Sequence, residues 1–387
     1  MTVYRTPGLY KEDFYPQPGT GEIRTGIPAF LGYIINGSQE ELNTPVRLTH
    51  WSQFTAKIGA QLPEEGYLAH AVHGFFQNGG DLCYIIRLAY SHETNHHIQA
   101  HRAGLQVLTT LDDIDLICAP DIFLPSRRED GLTIQAEILE YCDHAGDRFA
   151  ILDALPDSVP DVILSQRASL KSKNGTLYAP WICIQRISDN TTAWVPPCGH
   201  VAGVYARSDR DIGVHKAPAN EPLQGVLNLE TILTNQQQGE LNSANINCLR
   251  AFPGRGIRIW GARTLSHDPT WLYISVRRLF LTTARWIDRN LVNVAFEPND
   301  SRLWARIERE LSIYFRQLHQ QGALKGSSPK EAFFVKCNAE LNPCEVRQAG
   351  QVNTEIGLAP AAPNEFVVVR IVHKTSSVAE AGPTQPE

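Results

Sequence analysis

The chain has no apolar run near the roughly 20 residues that a membrane-spanning helix needs; Ile27 to Ile35 and Phe366 to Val369 are far too short. No transmembrane segment is therefore expected. The opening Met1-Thr-Val-Tyr-Arg-Thr-Pro-Gly8 has no basic stretch followed by an apolar one and no small-residue cleavage site, so folding in the cytoplasm is expected. Eight cysteines (83, 118, 142, 183, 198, 248, 337 and 344) occur without a single Cys-x-x-Cys pair, which fits reduced, mostly buried thiols better than a disulfide framework or a zinc knot. Gly254-Arg-Gly256 lacks the third glycine of a dinucleotide fingerprint, and neither the phosphate-loop pattern nor Gly-x-Ser-x-Gly is present. There is no internal repeat of the length that builds solenoids. The Asn-x-Ser/Thr triplets at Asn36, Asn174 and Asn190 read as loop residues, since glycosylation would need a secretory route.

What the sequence does have is length for two domains and an uneven charge. Of 387 residues, 43% are hydrophobic and 20% charged, the balance of an ordinary globular chain. Arg250 to Lys325 holds thirteen Lys and Arg against six Asp and Glu, a local +7 in a chain of net −6, so the remainder carries −13. Such a segment is either a solvated face or a docking surface for an acidic partner.

Residues 1 to 26 carry Pro7, Gly8, Pro16 and Pro18 with no helical periodicity and read as an extended arm. A strand is expected over Ile27 to Ile35. A helix from about Glu64 follows, with apolar pairs Tyr67/Leu68, Ala71/Val72 and Phe75/Phe76, ended by Asn78-Gly79-Gly80. Strands at Leu82 to Leu88, Ile114 to Ala119 and Phe149 to Asp153 alternate with a helix over Leu132 to Ala145, the pattern of an α/β fold with a mostly buried sheet. Tyr178 to Ile184 and Thr192 to Pro197 add β content. Two arginine-rich helices are expected over Pro269 to Asn290 and Asp300 to Gln321, then strands at Ala332 to Cys337 and Glu365 to His373, and a polar tail from Thr375.

Three constellations invite a chemical reading. His92-Glu-Thr-Asn-His96 matches the zinc-protease pattern His-Glu-x-x-His. That pattern needs a helix, and here Thr-Asn follows closely on a strand with no apolar stripe, so a polar connecting loop is expected and a metallohydrolase is the alternative. Cys198-Gly-His200, with Asp209 or Asp211 as orienting acid, would suit a thiol nucleophile; Pro196-Pro197 and Gly199 instead suggest a tight turn. Arg278, Arg285 and Arg289 on the first late helix, and Arg302, Arg306, Arg309 and Arg316 on the second, each form a stripe. Either stripe could meet an acidic protein, or, as another alternative, segment 250–325 could meet nucleic acid. The second is disfavoured because Trp271, Trp286, Trp304 and Phe315 sit at core spacing rather than among the basic residues.

Val195 to Asp209, Gly213 to Asn220 and Phe252-Pro-Gly-Arg-Gly-Ile-Arg-Ile-Trp-Gly-Ala-Arg-Thr-Leu265 resemble the signature blocks of contractile tail sheath proteins. Ser275 to Leu279, Phe296-Glu-Pro-Asn299, Gly322 to Gly326 and Ile356 to Pro360 resemble the later blocks, and Pro7 to Glu12 and Phe76 to Tyr84 the first. The resemblance implies a subunit of a phage tail, R-type bacteriocin or extracellular contractile injection system, with neither catalysis nor a cofactor. It implies an outer α/β domain, an inner mixed helix and sheet domain, and extended strand-donating arms, here expected at 1–26 (arm), 27–220 (outer), 221–364 (inner, tube-facing) and 365–387 (strand arm and tail). The expected arm contacts are Val3, Tyr4, Leu9 and Tyr10 at one end and Phe366, Val367, Val368, Val369 and Ile371 at the other. Implied partners are further copies of the chain, the inner tube protein, and baseplate and cap proteins, without nucleic acid or membrane insertion. Assembly in the cytoplasm of the producing bacterium would precede incorporation into a virion-like particle.

Overall fold

Alternation of β-branched, apolar strands with amphipathic helices produces a three-layer α/β body. The computed structural model describes residues 23–34, 41–58, 66–90, 96–125, 128–187, 189, 191–294 and 296–363. The first half runs β1 Pro28–Tyr33, β2 Pro45–Leu48, α1 Ser52–Ile58, α2 Leu68–Gln77, β3 Cys83–Leu88, α3 His96–Val107, β4 Leu116–Cys118, α4 Arg128–Ala145, β5 Phe149–Asp153 and α5 Pro160–Ala168. The middle adds β6 Gly175–Ala179, β7 Ile182–Gln185, β8 Thr192–Val195, α6 Cys198–Asp211, β9 Val226–Leu229, α7 Asn235–Ser243, β10 Asn247–Phe252 and β11 Gly256–Trp260. The last third comprises α8 Ile274–Asn290, α9 Ser301–Gln320, α10 Pro329–Ala332, β12 Phe333–Lys336, α11 Cys344–Gln348 and β13 Glu355–Leu358.

Eight strands form one sheet in the order β11-β10-β6-β5-β4-β1-β3-β2. Its interior is parallel, from β10 through β6, β5, β4 and β1 to β3, and both edge strands are antiparallel. Strand periodicity sorts the side chains. Ala29, Leu31 and Tyr33 point to one face with Ile86, Ile117, Leu152 and Leu177, where α3, α4, α5 and α7 cover them. Phe30, Ile85, Cys118, Ile151 and Tyr178 point to the other, beneath α2, α6 and the first half of α8. Burial on both faces explains why these strands read as continuous apolar runs.

The glycines of the Cys198–Tyr205 segment set the packing of the second face. A β-carbon on Gly199 would lie 2.2 Å from the Ala71 carbonyl oxygen, and one on Gly203 would lie 2.4 Å from that of Phe75. Helices α2 and α6 therefore touch backbone to backbone, which no larger residue at 199 or 203 permits. The tight turn expected at Cys198 is instead the first turn of α6, begun by Pro197 at the N-cap.

A smaller core lies beyond the sheet: Leu279 and Trp286 of α8 pack with Leu303, Trp304, Ile307, Leu311, Tyr314 and Phe315 of α9, over the β12–β13 pair. Trp286 and Tyr314 stack at 4.1 Å. Trp271 departs from the expected core set; it is half-buried, with the Arg277 guanidinium 4.8 Å from its ring centre. One sheet runs across the division expected at residue 220. Asn247 and Cys248 pair with Tyr178 and Ala179, and residues 220–223 bond along the edge of β11, so the sheet body continues through Trp260. The expected arm contacts Val3, Tyr4, Leu9, Tyr10, Phe366, Val367, Val368, Val369 and Ile371 lie outside the described residues.

Candidate functional site

The two arginine stripes have different fates. On α8, Arg278 is 2% exposed and Arg285 3%. Arg278 binds Asp209 through both guanidinium nitrogens, at 2.9 and 2.5 Å, and Asp115 at 2.8 Å, with the Tyr205 ring 5.0 Å away. Burial opposes its charge, but Asp209 and then Asp115 outweigh that and raise its pKa above the ordinary arginine value. Asp115 also accepts the Gly26 and Ile27 amides at 3.1 and 2.6 Å, so the clamp fixes the point where the chain enters β1. Arg285 donates to the Asp113 carbonyl at 2.9 Å, and the exposed Arg289 to that of Asp112 at 2.6 Å. Arg278 and Arg285 are consequently not surface contacts: an α8 stripe facing the sheet body is spent on internal acids and carbonyls. The sequence hides this, because Asp209 and Asp115 lie 69 and 163 residues away.

Helix α9 keeps its arginines outside. Leu303, Trp304, Ile307, Leu311, Tyr314, Phe315 and Leu318 form its buried face, and Asp300 caps it by accepting the Arg302 and Leu303 amides. At about 100° per residue, Arg302, Arg309 and Arg316 fall within roughly 40° of one line on the opposite face. All three are exposed, and among the described residues their side chains make neither ion pairs nor hydrogen bonds. Arg306 differs: it is half-buried and neutralised by Glu297 and, at 2.9 Å, by Glu310. The uncompensated arginines of α9 are thus Arg302, Arg309 and Arg316.

Among the described residues the catalytic constellations do not assemble. Cys198 is fully buried, and burial first, then the Cys118 and Asp153 side chains, push its thiol well above the ordinary range. His200, buried against Gly74, has its pKa lowered to about 3 by desolvation and by His73 and His70. Asp209 is committed to Arg278, and Asp211 is exposed at the end of α6. Burial disfavours the charged form of both groups, the opposite of what a thiolate–imidazolium pair needs. His92 lies outside the described residues, and His96, expected in a loop, is the first residue of α3. The histidines that α3 buries are His97 and His101, which meet Tyr33: its hydroxyl is 2.5 Å from His97 Nδ1. Among the described residues no group of three or more His, Cys, Asp or Glu side chains is placed to hold a metal ion.

In open α/β sheets the usual ligand crevice lies past the carboxyl ends of the strands where the connections reverse direction, here between β1 and β4. Asp121 fills it. Its carboxylate accepts the amides of Tyr33 at 2.8 Å, Tyr67 at 2.6 Å and Leu68 at 3.2 Å, so it ties β1 to the start of α2. Burial raises its pKa to about 6 against those three bonds.

The described residues thus offer a buried Asp121 at the switch point, a buried Cys198 and His200, and an outer face of α9 with unpaired arginines. Comparison with known proteins identifies the family. Residues 96–265 match the phage tail sheath protein central domain and residues 266–374 the phage tail sheath C-terminal domain, a boundary just past β11. The chain is similar to the sheath complex of an extracellular contractile injection system (PVC) in the contracted state, at 30% identity and a TM-score of 0.77, covering 98% of this chain and 99% of that one. It is similar to the contracted helical sheath of the anti-feeding prophage (AFP) at 29% identity and TM-score 0.78, covering 96% and 100%. The tail sheath protein of Salmonella phage ViI is 25% identical over 271 residues; the match takes in 67% of this chain and 41% of that relative, so the chain spans less than half its length. The chain belongs to the phage tail sheath family.

Proposed function

We propose that this chain polymerises into a helical sheath around an inner tube, and that contraction of the sheath drives the tube outward. It is assembled in the cytoplasm of the producing bacterium, acts without catalysis, and meets baseplate and cap proteins at the ends of the polymer. The observation that carries the reading is the β12–β13 pair. Among the described residues neither strand has a second ladder partner, and Phe334 is 52% exposed. A two-stranded sheet is marginal alone and presents open edges. Residues 1–22 and 364–387 supply the candidate donors, above all Phe366-Val-Val-Val-Arg-Ile371, whose apolar run suits a strand added to a neighbour's sheet. The exposed face of α9 is the tube contact in this reading, through Arg302, Arg309 and Arg316, with Arg306 partly neutralised. The test is removal of 364–387: the body should keep its unfolding midpoint and lose the ability to polymerise. Polymers of normal length from the truncated chain would reject strand donation.

A further inference from the structure

Phe296 is fully exposed, at 107% of its reference area, and its backbone sits at φ 69°. A residue with a β-carbon is held there against its own preference, and an aromatic ring in water gains nothing from the body it stands on. Val292, four residues earlier, is 63% exposed. The loop is nevertheless fixed against α9: Glu297, next in sequence, pairs with Arg306, and Asn299 accepts from the Trp304 indole at 2.8 Å. Arg306 lies on the α9 face that carries Arg302 and Arg309, so the loop borders that face. Ile313, 41% exposed, lies roughly 20° around the helix from Arg302, on the side away from Arg309, and between Arg309 and Arg316 along the axis.

From these positions we infer that Phe296, Ile313 and the three free arginines form one docking surface, with Phe296 as its apolar anchor. Interfaces commonly combine a few aromatic and arginine side chains with a charged rim. The surface commits to a partner that is acidic and has an apolar recess about one ring wide, bordering the acids that meet Arg302, Arg309 and Arg316. Resting on the tube reading above, this partner is the outer wall of the inner tube. The arginines give a salt-dependent attraction shared by every partner of the right sign, whereas the ring supplies register, since a recess must coincide with it at each subunit.

The experiment places a photo-crosslinking phenylalanine analogue at position 296 and, separately, at position 309, in extended particles purified with their tube. Both positions should crosslink to the tube subunit. In a parallel assay, Phe296→Ala should lose tube retention in a salt wash that leaves wild-type particles filled, and Phe296→Leu should recover part of it; the unfolding midpoint of the free chain should not fall in either. Crosslinking of 309 to the tube but of 296 to another sheath subunit, or to nothing, overturns the inference and leaves the tube reading standing. Crosslinking of 296 alone to the tube overturns the single surface. Failure of both positions to reach the tube overturns the inference and the tube reading together.

Discussion

Arg278 and Asp209 face each other as a bidentate pair with side chains each 3% exposed, joining α8 to the last turn of α6. Losing one partner leaves an uncompensated buried charge, which typically costs about 3–5 kcal/mol. Arg278→Met should therefore lower the unfolding free energy by that order. Combining it with Asp209→Leu should restore part of the loss, as a urea titration of the four variants would read. A double variant as damaged as the sum of the singles would mean that the pair is not coupled.

Helices α2 and α6 supply a test that ordinary helix propensity gets wrong. Glycine to alanine inside a helix usually stabilises by up to about 1 kcal/mol. At Gly199 and Gly203 the added carbon meets carbonyl oxygens of α2 at 2.2 and 2.4 Å. Gly199→Ala and Gly203→Ala should each destabilise by about 1–3 kcal/mol, the range for overpacking, or more. Thermal unfolding that is unchanged or raised would show that the helices are free to separate.

The dependence on pH contains two opposed contributions. His200 at about 3 and His70 at about 4 resist protonation in the fold, mainly through burial, whereas the unfolded chain takes up those protons near 6.5. Their contribution is complete above pH 6.5 and is lost as pH falls toward 3–4. Asp153, raised to about 7 by burial against the Cys198 bond, runs the other way. Its folded pKa lies above the unfolded value, so its contribution is present below about pH 4 and disappears as pH rises through 7. Asp153→Asn should thus gain on the wild type between pH 4 and 8, by ~4 kcal/mol at most from the linkage relation. A difference that is flat across that range would place the Asp153 carboxyl in contact with water.

Much of this was legible in the sequence, and the failures share a cause. Helix α9 could be read because Leu303, Ile307, Leu311 and Phe315 put large apolar groups at helical spacing. Helix α3 could not: its buried face is His97, Ala100, His101, Gly104 and Leu105, the right spacing in residues that do not look like core. Helix α6 is buried on nearly all sides, so its apolar residues show no stripe and its glycines resemble a turn. The α8 arginines looked solvated because a buried charge is recognisable only once its partners are known. Nothing in Phe296-Glu-Pro-Asn299 distinguishes an outward ring from an inward one; backbone conformation decides that.

Charge on α9 should act on the tube contact before it acts on the fold. Arg302→Glu with Arg309→Glu replaces two exposed, unpaired groups, and surface changes of this kind usually shift stability by about 0.5 kcal/mol or less. The unfolding midpoint should stay close to that of the wild type, while particles become empty or contract early. In wild-type particles the contact should loosen as salt rises, because exposed pairs are screened within about 8 Å at physiological strength. Filled, extended particles from the doubly reversed chain would move the tube contact elsewhere.

The most direct measurement is negative-stain microscopy of the purified chain as concentration is raised, alone and with the inner tube protein. The account predicts hollow cylinders of stacked rings, formed by the full chain and missing after deletion of 1–22 or 364–387. A chain that stays a folded monomer under every condition, with the tube protein present, would contradict it.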